Sequence, residues 1–152
     1  MALDAIKHFV AVSPTLATAG QPSEAQLREV AQAGFEVVIN LGLLDPRYCL
    51  ADEAGCVRAL GLDYAHLPVD FGAPAAADLQ RFLDVMAACD GRRVFVHCAA
   101  NYRVACFVAL YGQARLGWSR AAADAHVARV WQPDAVWSAF LERARMERGL
   151  GD

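Results

Sequence analysis

Lysine is almost missing from this chain: of its 14 basic residues only Lys7 is a lysine, and the others are arginines. Positive charge is not in surplus either. The net charge is −3 and the pI is near 5.8, which argues against a nucleic-acid or anionic-membrane partner. No apolar run is long enough to span a bilayer, and no apolar segment follows a basic N-terminus as in a secretory leader. The 5 cysteines are odd in number and contain no C-x-x-C pair, which argues against a disulfide framework and against zinc. With no leader segment, they point to the reducing cytoplasm. Internal repeats, low-complexity runs and linkers are also missing. What remains is an apolar chain, 57% hydrophobic over 152 residues, expected to form a single domain over 1–152.

Taken in order, Phe9–Val12 and Leu16–Ala19 read as two short strands around a Ser13-Pro14 turn. Ser23 with Gln26 forms a capping box ahead of a helix whose apolar face is Leu27, Val30 and Ala31, and Gly34 ends it. The β-branched run Val37–Leu41 suits a strand buried on both faces. A helix is expected over Tyr48–Leu60, and a strand within Leu62–Val69. The next helix, Ala75–Cys89, carries Leu79, Phe82, Leu83 and Met86 on one face. Val94–His97 is a central strand, followed by a helix from about Arg103 to Leu116 that is apolar on most sides. Ser119 caps a further helix to about Val130. Pro133-Asp134 opens the last one, with Trp137, Phe140, Leu141 and Ala144 inward. Strands alternating with helices predict an α/β fold: a central, mostly parallel sheet of four to five strands flanked by helices.

In such sheets ligands sit beyond the carboxyl ends of the strands. Cys98 follows one such end and Asp70 another. Cys98 lies between a strand and a helix start, where free backbone N–H groups favour a thiolate and attract anions, and His97 is placed to support it. Arg103 would oppose the helix dipole unless an anion sat between, and it can grip an oxyanion bidentately. Ala99, Ala100, Asn101 and Tyr102 would supply loop N–H groups, Asn101 at a position suited to positive φ. Asp70 is a candidate general acid; turning its own loop into the next helix is the alternative role. His66 and His126 are read as packed or solvated, and Trp118, Trp131 and Trp137 as packing residues. No metal site is expected.

The run His97-Cys98…Arg103 after a buried strand resembles the signature of the cysteine-dependent tyrosine and dual-specificity phosphatases. Gly20-Gln21-Pro22-Ser23, Val38-Ile39-Asn40-Leu41 and Leu67-Pro68-Val69-Asp70 resemble its compact bacterial branch, so the likeness spans roughly Leu16–Leu116. It implies a phosphatase-like fold and a phosphocysteine mechanism without a cofactor. Cys98 would be the nucleophile, Arg103 and the loop N–H groups the oxyanion cradle, and Asp70 the proton donor. The partner would be a phosphorylated protein or small molecule, or an inorganic oxyanion. The sequence departs from the pattern twice. Four residues, not five, separate Cys98 from Arg103, which turns the arginine by about 100° if the helix register is kept, whereas a tightened loop would leave the guanidinium in place. The hydroxyl expected just after the arginine is replaced by Val104 and Ala105. A loop this short also resembles the rhodanese-type sulfurtransferases, and a phosphate-binding module without turnover is a third reading.

Overall fold

The computed structural model describes residues 3–152. Its frame is a sheet of five strands: β1 (Val10–Ser13), β2 (Leu16–Ala19), β3 (Val37–Asn40), β4 (Asp63–His66) and β5 (Val94–His97), in the order β1-β2-β5-β3-β4. β1 runs antiparallel to β2 at one edge, and every other pairing is parallel. The expected α/β architecture is the one observed. β5 lies in the middle with all four residues buried, which is why Val94-Phe95-Val96 is continuously apolar rather than alternating. His97 is in register with Ala19 of β2 and Asn40 of β3. Three parallel strands therefore end at one level, and the segments leaving them begin side by side.

Helices cover both faces. α1 (Glu24–Gln32) and α2 (Glu53–Ala59) bury Leu27, Val30 and Val57 with Val38 and Phe95 of the sheet. The other face takes α3 (Ala76–Ala88), α4 (Tyr102–Arg115), α5 (Arg120–Ala128) and α6 (Ala135–Arg148), packed on Val37, Ile39, Val94 and Val96. The stripe Leu79, Phe82, Leu83, Met86 is buried as its spacing predicts, and so is Trp137, Phe140, Leu141, Ala144. Each of the Leu, Phe and Met side chains among them contributes about 1.5–3 kcal/mol on leaving water. α4 is buried from Arg103 to Leu110, because it packs between the sheet and its neighbouring helices. Its sequence accordingly shows no polar face. The capping box forms in full: Ser23 Oγ accepts from Gln26 N and Gln26 Oε1 accepts from Ser23 N. Gly34 adopts φ 95°, and the chain turns there.

The largest departure lies before α2. A helix expected over Tyr48–Leu60 starts only at Glu53. Upstream, the Asp45 carbonyl accepts from Tyr48 N and Cys49 N, and the Tyr48 hydroxyl accepts from Leu43 N. That closes a turn instead of propagating a helix. Asp52 then sits at φ −147°, and its carboxylate caps Gly55 N. A side chain competing for backbone N–H groups has placed the boundary. Smaller shifts move the first strand one residue along, to Val10–Ser13, and start α4 at Tyr102.

Candidate active site

The segment after β5 turns sharply into α4, and its turn depends on Asn101. This residue has φ 69° and ψ 2°, the left-handed conformation its position called for. Its side-chain amide donates to the His8 carbonyl at 2.8 Å and to Thr18 Oγ1 at 3.1 Å, which pins the turn to β2 and to the chain before β1. The carbonyls of the loop are held from outside. Ala99 O accepts from Gln21 N at 3.0 Å, and Ala100 O lies 2.8 Å from His8 Nδ1. Gly20 is needed at this approach, since a Cβ there would lie 2.7 Å from the Ala99 carbonyl oxygen. With its carbonyls engaged, the loop keeps its donors: the N–H groups of residues 99–103 donate to no backbone carbonyl among the described residues.

Arg103, on the first turn of α4, is 6% exposed, so the short spacing has kept it inside rather than turned it to solvent. Its Nε and Nη1 are buried without a hydrogen-bond partner among the described residues. Its guanidinium carbon sits 5.5 Å from the Phe71 ring centre. A buried guanidinium whose donors go unanswered costs several kcal/mol. An oxyanion lodged against the loop would answer those donors and the backbone N–H groups together.

Cys98, the residue just after β5, is buried at 1% exposure rather than open to solvent. It belongs to the same packed cluster as Ile39, Val96, Val104 and Cys106. Phe71, which contacts Arg103, packs 6.4 Å from Tyr102, 5.7 Å from Trp131 and 5.9 Å from Trp137, and Tyr102 stacks on Trp131 at 4.4 Å. Trp137 Nε1 donates to the Phe71 carbonyl, fixing that loop. Trp137 is the core residue the spacing suggested, whereas Trp131 is half-buried and belongs to the rim of the loop. Asp70, next to Phe71 in the chain, is exposed. Its Oδ1 accepts from Gly72 N at 2.9 Å, the turn-forming role, and no hydrogen bond joins it to residues 98–103 among the described residues.

Behind the loop lies a buried network that sequence reasoning missed. His97 is fully buried, with Nε2 2.6 Å from Glu53 Oε2 and Nδ1 3.3 Å from the Cys98 carbonyl. Gln21 donates to Glu53 Oε1 at 2.7 Å. Nothing local marks Glu53, which reads as an ordinary acidic residue in a helix's first turn. His66 instead bonds the Gly42 carbonyl at 2.7 Å. His126 is buried against Trp118, and burial with the nearby Arg129 charge lowers it to about 4. Burial pushes the Cys106 thiol up to about 12, so that sulfur stays a neutral core group. No group of three or more potential metal-ligating side chains occurs among the described residues, and no described helix is long and apolar enough to cross a membrane.

A sequence profile of the family described as DSP-PTPase phosphatase fused to NAD+ kinase matches residues 11–135. A DUF442 protein of Shewanella putrefaciens CN-32, assigned as a phosphatase, superposes with a TM-score of 0.86 at 30% identity, covering 99% of this chain and 97% of that one. Kinase associated phosphatase shares the fold, with a TM-score of 0.80 at 14% identity over 95% of this chain and 97% of that one. The beta-lactamase hydrolase-like protein of Agrobacterium fabrum is 31% identical over 97 residues, 62% of this chain. The match spans only 22% of that protein's length. None of these relatives favours the sulfurtransferase reading that the loop length had raised. The chain belongs to the dual-specificity-like branch of the cysteine-dependent phosphatase superfamily.

Proposed function

We propose that this protein hydrolyses phosphate monoesters through a phosphocysteine formed on Cys98. One observation carries the reading: among the described residues Arg103 is buried with Nε and Nη1 unanswered, and it adjoins a loop whose N–H groups at 99–103 donate to no backbone carbonyl. That donor set matches the equatorial oxygens of a phosphoryl group. The Cys98 thiolate attacks phosphorus, an S–P bond forms and the bond to the leaving oxygen breaks, that oxygen taking a proton from Asp70. Water then attacks phosphorus and gives its proton to Asp70, and the S–P bond breaks to return thiolate and inorganic phosphate. Asp70 must exchange its bond to Gly72 N for the leaving group to serve in this way. Val104 and Ala105, both fully buried, offer no hydroxyl to the departing thiolate, so the second step is the slow one.

The test is hydrolysis of p-nitrophenyl phosphate by the purified protein. Turnover should vanish in Cys98→Ser and fall at least tenfold in Asp70→Asn. Wild-type rates no higher than those of Cys98→Ser would reject hydrolysis, and phosphate binding by calorimetry would then assign the site to recognition alone.

A further inference from the structure

Two non-glycine residues among those described adopt positive φ, His8 at 52° and Asn101 at 69°, and they hold each other. His8 Nδ1 lies 2.8 Å from the carbonyl oxygen of Ala100, and the Asn101 side-chain amide donates back to the His8 carbonyl at 2.8 Å. A carbonyl oxygen only accepts, so Nδ1 carries a hydrogen and donates it, whatever the charge on the rest of the ring. His8 is exposed, so burial does not keep it in place. A non-glycine residue stays left-handed where its surroundings over-determine it, and such residues gather at functional sites. Here the surroundings do so. Ile6, 1% exposed among Leu27, Val38 and Phe95, anchors the segment in the core. The Lys7 carbonyl accepts from Gly20 N, and Phe9 N donates to the Ile6 carbonyl, which closes the turn around His8. The His8 ring also lies 5.9 Å from that of Tyr102, nearly parallel to it at 16°.

What this grip does follows from the peptide groups it holds. In a trans peptide the C=O and the N–H point to opposite sides. Gln21 N holds the Ala99 carbonyl, so the Ala100 N–H points away from Gln21. His8 holds the Ala100 carbonyl, so the Asn101 N–H points away from His8. Four residues separate Cys98 from Arg103, and Val104 and Ala105 bring no hydrogen-bonding side chain to shape the loop from α4. We propose that His8 is a positioning residue: through its bond to Ala100 O it fixes the loop with its N–H groups turned toward an oxyanion. That role rests on the reading of residues 98–103 as an oxyanion cradle for its consequence, but not for its geometry. His8 acts through the Ala100 peptide and needs no contact with the anion.

Nitrogen-15 NMR of the wild-type protein should show a hydrogen on His8 Nδ1; a bare Nδ1 overturns the proposal, and no variant has to fold for this reading. Two variants then separate the hydrogen bond from the backbone. His8→Gly accepts the same φ without strain but has no side-chain donor, whereas His8→Asn tolerates that φ and keeps an N–H on a short side chain. Backbone order parameters at residues 99–102 should fall from about 0.85 to about 0.6 in His8→Gly and recover in His8→Asn. The calorimetric dissociation constant for inorganic phosphate should rise about tenfold in His8→Gly and stay within about threefold of wild type in His8→Asn. Wild-type loop order and affinity in His8→Gly, even with a lowered melting temperature, mean a structural contact only and overturn the proposal. So does His8→Asn behaving like His8→Gly, which would assign the effect to the ring stacked on Tyr102. Loop order is read without any anion. A loop that loosens in His8→Gly and tightens in His8→Asn, in a protein that neither binds phosphate nor hydrolyses p-nitrophenyl phosphate, would remove the phosphatase reading and keep the role of His8.

Discussion

Arg103 is the residue on which spacing and structure had most to decide. Counting from Cys98 left its direction open, and the structure encloses it at 6% exposure with Nε and Nη1 unanswered among the described residues. Lysine at this position would keep the charge but lose the planar fork. Arg103→Lys should lower kcat/KM by on the order of a hundredfold, the worth of about 2–3 kcal/mol of charged hydrogen bonding, with little change in thermal stability. A loss below threefold would show that the guanidinium does not hold the phosphoryl oxygens. Asn101 shows what can be read locally, because its side chain tolerates positive φ and the turn needs that conformation. Its partners His8 and Thr18 lie 93 and 83 residues away, beyond any local pattern.

At the scale of elements, legibility followed how local the cause was. Ser23 and Gln26 are three residues apart and cap each other, so the start of α1 was plain from the sequence. The start of α2 was not, because the Asp45 turn and the Asp52 cap intercept a stretch whose composition favours helix. The contact between the turn after β2 and the loop after β5 is likewise invisible in spacing, yet Gly20 fits there only because it lacks a side chain. Gly20→Ala would set a Cβ 2.7 Å from the Ala99 carbonyl oxygen, which is backbone and can yield only by moving the loop. Its kcat should therefore drop more than tenfold while circular dichroism stays native. Wild-type kcat in Gly20→Ala would show that loop position is not limiting.

Over the whole molecule, alternating strands and helices were enough to place Cys98 and Asp70 at carboxyl ends of a parallel sheet. They were not enough to show that Phe71 packs against Arg103 and its aromatic neighbours, or that Glu53 reaches His97 across 44 residues. Long-range pairing leaves no period in a sequence. Global stability carries its own signature in His126. Its folded value near 4 lies below the ordinary 6.5, first because of burial and then because of Arg129. The unfolded chain therefore binds the proton better, and stability is lost as pH falls from about 6.5 towards 4. The slope is up to about 1.4 kcal/mol per pH unit, with no contribution above that window. Denaturant melts of the wild type and His126→Phe should differ by this slope between those limits, and parallel curves would contradict a buried neutral imidazole.

The central claim is a covalent phosphocysteine, and it is tested most directly by trapping one. The wild-type protein would be mixed with p-nitrophenyl phosphate and quenched in acid within milliseconds, and its peptides read by mass spectrometry. Because Val104 and Ala105, just after Arg103, offer no hydroxyl to the departing thiolate, the intermediate should accumulate. A burst of p-nitrophenol matching the enzyme concentration should precede slower turnover, with phosphate on the Cys98 peptide alone. Turnover without any adduct on Cys98, or an adduct that survives in Cys98→Ser, would contradict the account.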